Sequence, residues 1–140
     1  MKLVVDTNIL IAALIKNSVT REILLHPNID CFVSEFIFRE IALFKKEILR
    51  KSGLSGENFK TLFEHIKEKL NFIPDEEIRH KKKAMKIIES IDIKDSVFIA
   101  IALSIENDGI WSEDKHFEKQ HIIKLWKTRD IINYLGITHK

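Results

Sequence analysis

The chain has 140 residues, of which 45% are hydrophobic and 31% charged, and its formal net charge is +2 at pH 7. This length fits one domain, residues 1–140, whose core needs no disulfide or metal to hold it together. Four glycines and two prolines exclude collagen-like and most disordered classes and argue against an all-β sandwich. The single cysteine, Cys31, excludes a disulfide framework and a cysteine zinc cluster.

The sequence predicts a soluble, cytoplasmic protein with no membrane partner. Its longest apolar runs, residues 9–15 and 97–103, have seven residues each, whereas about 20 are needed to span a bilayer. Met1 and Lys2 lead directly into a strand-like segment, so no signal peptide is expected.

The positive charge is concentrated in the middle of the chain. Residues 45–86 contain 12 basic and 7 acidic side chains, an excess of five, while the flanks together are acidic. A phosphate-bearing ligand would favour such a region, although solvated faces of surface helices account for most charge runs of this kind.

The first elements predict a buried parallel sheet. An apolar strand at residues 3–5 passes directly into a helix at 9–15, as parallel strands covered on both faces do. A helix at 19–25 and a strand at 29–34 follow. Ser34 is a candidate N-cap for an amphipathic helix at 35–50, which Ser52 and Gly53 end.

Apolar spacing predicts a second amphipathic helix at 59–70 and a third at 75–90, separated by a short extended piece at 71–74. A helix at 97–105 is apolar nearly all round and should lie against the sheet. Strands at 110–112 and 122–126 and a closing helix at 130–135 complete the chain. This alternation predicts a three-layer α/β/α sandwich with a mostly parallel central sheet.

Acidic residues stand where such a sheet would bind a ligand, outside the carboxyl ends of its strands. Asp6 follows the first strand, and Asp114 follows the strand at 110–112. Glu40 lies about 60° from Ile37 on the margin of its helix's apolar stripe. Asp95 precedes the apolar helix, where an N-cap or an acid in the first turn is the better explanation if Asp95 is taken alone.

Four carboxylates at one sheet edge would repel each other unless a cation lay among them. Oxygen ligands, with no histidine motif, fit Mg²⁺ or Mn²⁺. Such an ion binds phosphate oxygens and activates water, which is the chemistry of phosphodiester hydrolysis. The sequence contains no glycine-rich phosphate loop, so nucleotide-binding functions of this fold class are not expected.

Four segments resemble the motifs of the PIN domain (PilT N-terminus-like) nuclease family. They are VDTNIL at 5–10, SEFIFREI at 34–41, DSVFIAIAL at 95–103 and WSEDKHF at 111–117. Their order and spacing cover almost the whole chain. The small residue or proline that usually follows the third acid of the family is replaced here by Ser96 and Val97.

The resemblance implies a divalent-metal-dependent endoribonuclease of single-stranded RNA, often a VapC-type toxin that is a homodimer and has an antitoxin protein as partner. It implies that four acids hold the metal and polarise the attacking water: Asp6, Glu40, Asp95 and Asp114. Asn8 and Ser112 would orient those carboxylates or the substrate, and Asp92 is a further acid without an assigned role. The basic stretch at 79–86 is the candidate contact to the RNA backbone, through Arg79, Lys81, Lys82, Lys83 and Lys86.

Two other functional classes use similar residues. One is a catalytically silent PIN-fold module that binds RNA or serves assembly. The other is an aspartate-based phosphoacceptor or phosphatase domain. A phosphatase of that kind needs a second aspartate two residues after the first, where Asn8 stands, and a receiver domain needs a lysine at a later strand end, which the strand at 110–112 does not offer.

Overall fold

The sheet is built around the strand that begins the chain. A computed structural model describes residues 1–88 and 93–137, and their side chains except those of residues 82, 84–88 and 93–95. The strands are β1 (Lys2–Val5), β2 (Asp30–Ser34), β3 (Leu70–Ile73), β4 (Gly109–Trp111) and β5 (Leu125–Trp126). All pair in parallel, in the spatial order β3-β2-β1-β4-β5. The predicted parallel sheet is confirmed, with β1 at its centre.

Seven α-helices are described in the same ranges, as the sequence pattern largely predicted. They are α1 (Thr7–Ile15), α2 (Val19–Leu24), α3 (Ile37–Ser52), α4 (Gly56–Lys69), α5 (Asp75–Ile88), α6 (Ile93–Ser104) and α7 (Thr128–Leu135). A short 3₁₀ helix, Lys115–Lys119, follows β4. Among the residues the structure describes, no helix is long and apolar enough to cross a membrane.

The three-layer arrangement follows from the burial of alternate strand residues on opposite faces. In β1, Leu3 and Val5 join the core beneath α1, α2, α3, α4 and α7, whereas Val4 joins a second core with Ile99 and Ile101 of α6. Leu3, Val4 and Val5 are all fully buried, because helices cover the sheet on both sides. The predicted α/β/α sandwich is confirmed.

Several predicted boundaries were wrong, and those that concern α3, α6 and β5 bear on the site or have a clear cause. Ser34 does not cap a helix at residue 35. Its hydroxyl accepts the N–H of Phe36 over 3.1 Å, which makes a tight turn, and α3 begins at Ile37. Helix α6 begins at Ile93 rather than at 97, so Asp95 lies within its first turn instead of ahead of it.

The last strand is shorter than the predicted 122–126. Gln120 is the reason, because its side-chain amide bonds to the backbone there. Its Oε1 accepts the N–H groups of Ile122 and Ile123, and its Nε2 donates to the carbonyl of Ile123. These backbone groups are therefore not offered to a neighbouring strand, and β5 begins only at Leu125.

Candidate active site

The carboxyl edge of the sheet at β1 and β4 is where the chain brings polar groups together. The crossovers from β1 to β2 and from β2 to β3 lie on one side of the sheet, and the crossover from β3 to β4 lies on the other. The direction of strand order therefore reverses between β1 and β4, which opens the crevice where parallel sheets bind ligands. Val5 is in register with Trp111, so the next residues of the two strands, Asp6 and Ser112, lie side by side.

Asp6 is held by hydrogen bonds to both of its carboxylate oxygens. It is the N-cap of α1, and Oδ1 accepts the backbone N–H of Asn8 over 3.0 Å. Oδ2 accepts the hydroxyl of Ser112 over 2.6 Å. Only 5% of Asp6 is exposed, and the N-terminus of a helix favours a negative charge at this place.

The pKa of Asp6 is nevertheless raised above its ordinary value. Burial is the largest cause because it penalises the charged form, and repulsion from Asp114 raises the pKa further. The hydrogen bonds from Ser112 and Asn8 act in the opposite direction. The charged form of Asp6 is therefore disfavoured in this environment, and a cation beside it would favour that form.

Glu40 reaches the same edge from the first turn of α3. Its carboxylate is half-buried, and Oε1 accepts the hydroxyl of Thr7 over 3.2 Å. Burial raises the pKa of Glu40, the hydrogen bond from Thr7 opposes that shift, and repulsion from Asp6 adds to it. Asp6 therefore interacts with two other acids. It raises the pKa of Glu40, and its own pKa is raised by Asp114.

Asp114 is tied to Asp6 through Ser112. The fully buried hydroxyl of Ser112 donates to Asp6 and accepts the N–H of Asp114 over 3.0 Å. Asp114 also caps the 3₁₀ helix, because its Oδ1 accepts the N–H of His116 over 2.9 Å. One serine thus fixes the relative position of the two acidic residues.

Asp95 belongs to the same edge by its backbone position. Only four residues separate Ser104, the end of α6, from Gly109, the start of β4. This short connection means that α6 runs antiparallel to β4, so its first turn, with Asp95, lies towards the carboxyl edge. The side chain of Asp95 and the whole of Asp92 lie outside the described residues.

Of the predicted supporting and basic residues, Asn8 contacts an acid of the site, and the basic residues whose side chains are described are exposed on α5. Asn8 contacts Asp6 through its backbone N–H, while the residue itself is exposed. Arg79, Lys81 and Lys83 are exposed on α5, which begins two residues after β3 at the carboxyl edge. The side chains of the two remaining basic residues of the prediction, Lys82 and Lys86, lie outside the described part.

Sequence reasoning did not assign a role to Thr7. It is buried, with 5% of its surface exposed, and its hydroxyl bonds to a side chain 33 positions later. Its position beside Asp6 was the one available signal, but nothing in the sequence indicates that α1 and α3 meet at this point.

The carboxylates fit a divalent cation by their chemistry. Among the described side chains, no three of histidine, cysteine, aspartate or glutamate form a group that could hold an ion. The described acids instead interact as two pairs that share Asp6, one with Glu40 and one with Asp114. A pair is sufficient for Mg²⁺, which proteins bind through one or two carboxylates, with water and substrate phosphate oxygens as the other ligands.

The chain matches the family model for the PIN domain over residues 4–136. No curated protein matches the chain. The matched range includes the carboxyl edge and every candidate residue at it, from Asp6 to Asp114. PIN domains are commonly nucleases, a class of hydrolase, and a parallel sheet with acidic groups at its switch point is in keeping with that. The chain belongs to the PIN domain family.

Proposed function

We propose that this chain is a divalent-metal-dependent endoribonuclease that cleaves single-stranded RNA. The observation that carries the proposal is the convergence of acids at the β1–β4 crevice, where Asp114 raises the pKa of Asp6 and Asp6 raises the pKa of Glu40. The pKa values of Asp6 and Glu40 are both raised by burial and by a neighbouring carboxylate. Carboxylates in a cleft whose pKa values are shifted by burial and by a charged neighbour are typical of functional sites.

Mg²⁺ or Mn²⁺ is the proposed cofactor. Asp6 would hold it together with Glu40, Asp114 and Asp95, the last from the first turn of α6. When bound, the ion supplies positive charge for a phosphate oxygen and lowers the pKa of a water molecule. Hard oxygen ligands favour these two ions over zinc or copper.

The residues of the chain have distinct parts in this proposal. Ser112 holds Oδ2 of Asp6 and the backbone of Asp114, so both acids keep their places when substrate arrives. The backbone N–H of Asn8 fixes the other oxygen of Asp6, and the exposed side chain of Asn8 is open to the substrate. The side chains of the site are therefore ordered before the substrate binds, which lowers the entropic cost of cleavage.

The exposed basic residues of α5 support an RNA substrate. Arg79, Lys81 and Lys83 lie along α5, a helix that begins at the same edge as the acids, and Lys82 and Lys86 belong to the same basic stretch. Positive side chains bind the phosphate backbone without reading the bases. An unpaired strand suits such a site because its phosphate groups can approach the crevice freely, whereas an RNA duplex is recognised mostly by the shape of its minor groove.

A second copy of the chain is the proposed partner, with an antitoxin protein as a further one if the chain is a toxin. The outer side of α3 supports this, because Leu43 is 82% and Phe44 48% exposed. Contiguous apolar patches mark surfaces that another protein covers, and we propose that Leu43 and Phe44 belong to such a patch. A small protein encoded directly upstream would support the toxin role.

Cleavage of a labelled single-stranded RNA by the purified chain tests the proposal. We expect cleavage with Mn²⁺ or Mg²⁺, no cleavage after chelation, and recovery when the ion is restored. A folded chain that binds this RNA but never cleaves it would favour the silent RNA-binding module. Transfer of phosphate to the protein from a small phosphodonor would favour the phosphoacceptor class.

A further inference from the structure

Thr7 connects the two helices that carry Asp6 and Glu40. It is the first residue of α1, directly after Asp6, and its hydroxyl donates to Oε1 of Glu40 over 3.2 Å. Glu40 lies in the first turn of α3, and α1 and α3 pack side by side on the same face of the sheet. The contact therefore joins two elements at the carboxyl edge.

The hydroxyl of Thr7 does not cap its own helix. That task belongs to Asp6, whose carboxylate accepts the N–H of Asn8. Thr7 instead directs a buried hydroxyl to a partner 33 residues away. Valine has nearly the same shape, so packing alone would not call for a hydroxyl here.

We propose that Thr7 is a positioning residue that holds the Glu40 carboxylate in the orientation in which it binds the divalent cation, an inference that rests on the proposed metal-dependent function. The bond occupies Oε1 and leaves Oε2 for the ion. Glutamate has a long, flexible side chain, and Mg²⁺ demands near-ideal ligand geometry. A donor that orients a ligating carboxylate therefore contributes to the affinity for the metal.

The affinity for Mn²⁺ in the absence of RNA tests this role. The titration compares the unchanged chain with Thr7→Val, which removes the hydroxyl, and Thr7→Ser, which keeps it. We expect Thr7→Val to weaken Mn²⁺ binding about 10–100-fold, as changes to groups that orient metal ligands do. Thr7→Ser should bind Mn²⁺ within about threefold of the unchanged chain.

The same substitution in a Glu40→Gln background shows whether Thr7 acts through Glu40. If it does, Thr7→Val causes no further loss of Mn²⁺ affinity in that background, because the two changes are coupled. An equal loss in both backgrounds would overturn the inference. Thermal unfolding without metal checks that each variant folds, and a merely structural role would lower that midpoint while leaving the Mn²⁺ affinity unchanged.

The outcomes separate this inference from the function it rests on. If the unchanged chain binds Mn²⁺ and Thr7→Val binds it equally well, the role of Thr7 is refuted and the proposed nuclease stands. If the folded, unchanged chain binds neither Mn²⁺ nor Mg²⁺, both proposals are refuted together.

Discussion

The hydroxyl of Ser112 donates to Oδ2 of Asp6 over 2.6 Å, and this bond joins the ends of β4 and β1. The two residues are 106 positions apart, yet the pairing of Val5 with Trp111 brings them side by side. Since the same hydroxyl accepts the N–H of Asp114, one buried serine holds two acids at the site.

Replacing this serine is expected to weaken both stability and activity. Ser112→Ala removes the donor to Asp6 and leaves the partly buried N–H of Asp114 without its acceptor. The free energy of unfolding should fall by about 1–3 kcal/mol, and the cleavage rate should fall about 10–100-fold because Asp6 loses its orientation. Urea unfolding and single-turnover cleavage measure the two effects.

Ser104→Ala is the matched control for Ser112→Ala. Within the described part of the chain, the hydroxyl of Ser104 bonds only to the carbonyl one turn earlier in α6, at Ala100, far from the candidate site. We expect its free energy of unfolding to change by less than about 0.5 kcal/mol and its cleavage rate to stay the same. Equal effects of the two substitutions would contradict the role given to Ser112.

The raised pKa values of Asp6 and Glu40 lead us to expect that the stability of the metal-free protein depends on pH. Below their ordinary pKa values, 3.8 and 4.5, both groups are protonated in the folded and the unfolded chain. As the pH rises, the unfolded chain releases these protons first. The metal-free protein should therefore lose stability from these groups as the pH rises from about 4 through the raised pKa values.

The double variant Asp6→Asn, Glu40→Gln isolates this contribution. Urea unfolding between pH 4 and pH 8 measures the free energy of unfolding of both chains. As the pH rises, the double variant should become increasingly more stable than the unchanged chain. Saturating Mn²⁺ should reverse the difference, because an ion that binds only the folded state stabilises it. A difference that is constant over this pH range would contradict the cited shifts.

The basic residues of α5 are expected to set the salt dependence of RNA binding. A triple change to alanine at Arg79, Lys81 and Lys83 removes three exposed charges. Each contact to a phosphate of single-stranded RNA contributes about 0.7 to the slope of log affinity against log salt, so the slope should fall by about 2. Affinity titrations at several salt concentrations, with an Asp6→Asn chain that leaves the RNA intact, measure it.

Lys2, Lys16 and Lys51 provide the control for this triple change. All three are exposed, and they lie towards the opposite edge of the sheet, at the start of β1, directly after α1 and in the last turn of α3. Changing them to alanine alters the net charge equally and should leave the slope almost unchanged. A similar loss of slope in both variants would show that RNA responds only to net charge.

The exposed leucine of α3 makes a prediction about assembly. Leu43→Glu places a charge at a side chain that is 82% exposed and should convert a homodimer into a monomer without unfolding it. Light scattering after gel filtration measures the mass. Leu103→Glu is the control because Leu103 is exposed on α6, on the other side of the sheet. An unchanged chain that is already a monomer would contradict the proposed homodimer.

The sequence predicts those parts of the site that depend on the ends of strands. An apolar run followed directly by an acid identifies Asp6. Asp114 stands two residues beyond the predicted strand at 110–112, and it is expected at the same edge because parallel strands end there together. The angular position of Glu40 on its helix correctly placed it at the border between core and solvent. These inferences use only periodicity and the direction of the chain.

The contacts between elements could not be predicted in this way. The bond from Thr7 to Glu40 depends on how α1 packs against α3, and no local pattern records that packing. Asn8 contacts Asp6 through its backbone, which its side-chain type does not reveal. The early end of the last predicted strand arises from the side chain of Gln120, which competes for backbone groups that a pattern of apolar residues assigns to a strand.

The most direct test of the central claim is the cleavage rate of single-stranded RNA in Mn²⁺ by Asp6→Asn, compared with Asp30→Asn and the unchanged chain. Asp30 is an exposed aspartate at the opposite end of a neighbouring strand. We predict that the cleavage rate of Asp6→Asn falls by more than the roughly 100-fold that changes beside a metal ligand cause. Without metal, Asp6→Asn should fold at least as stably as the unchanged chain. Asp30→Asn should cleave at the normal rate. Undiminished cleavage by folded Asp6→Asn would contradict the account.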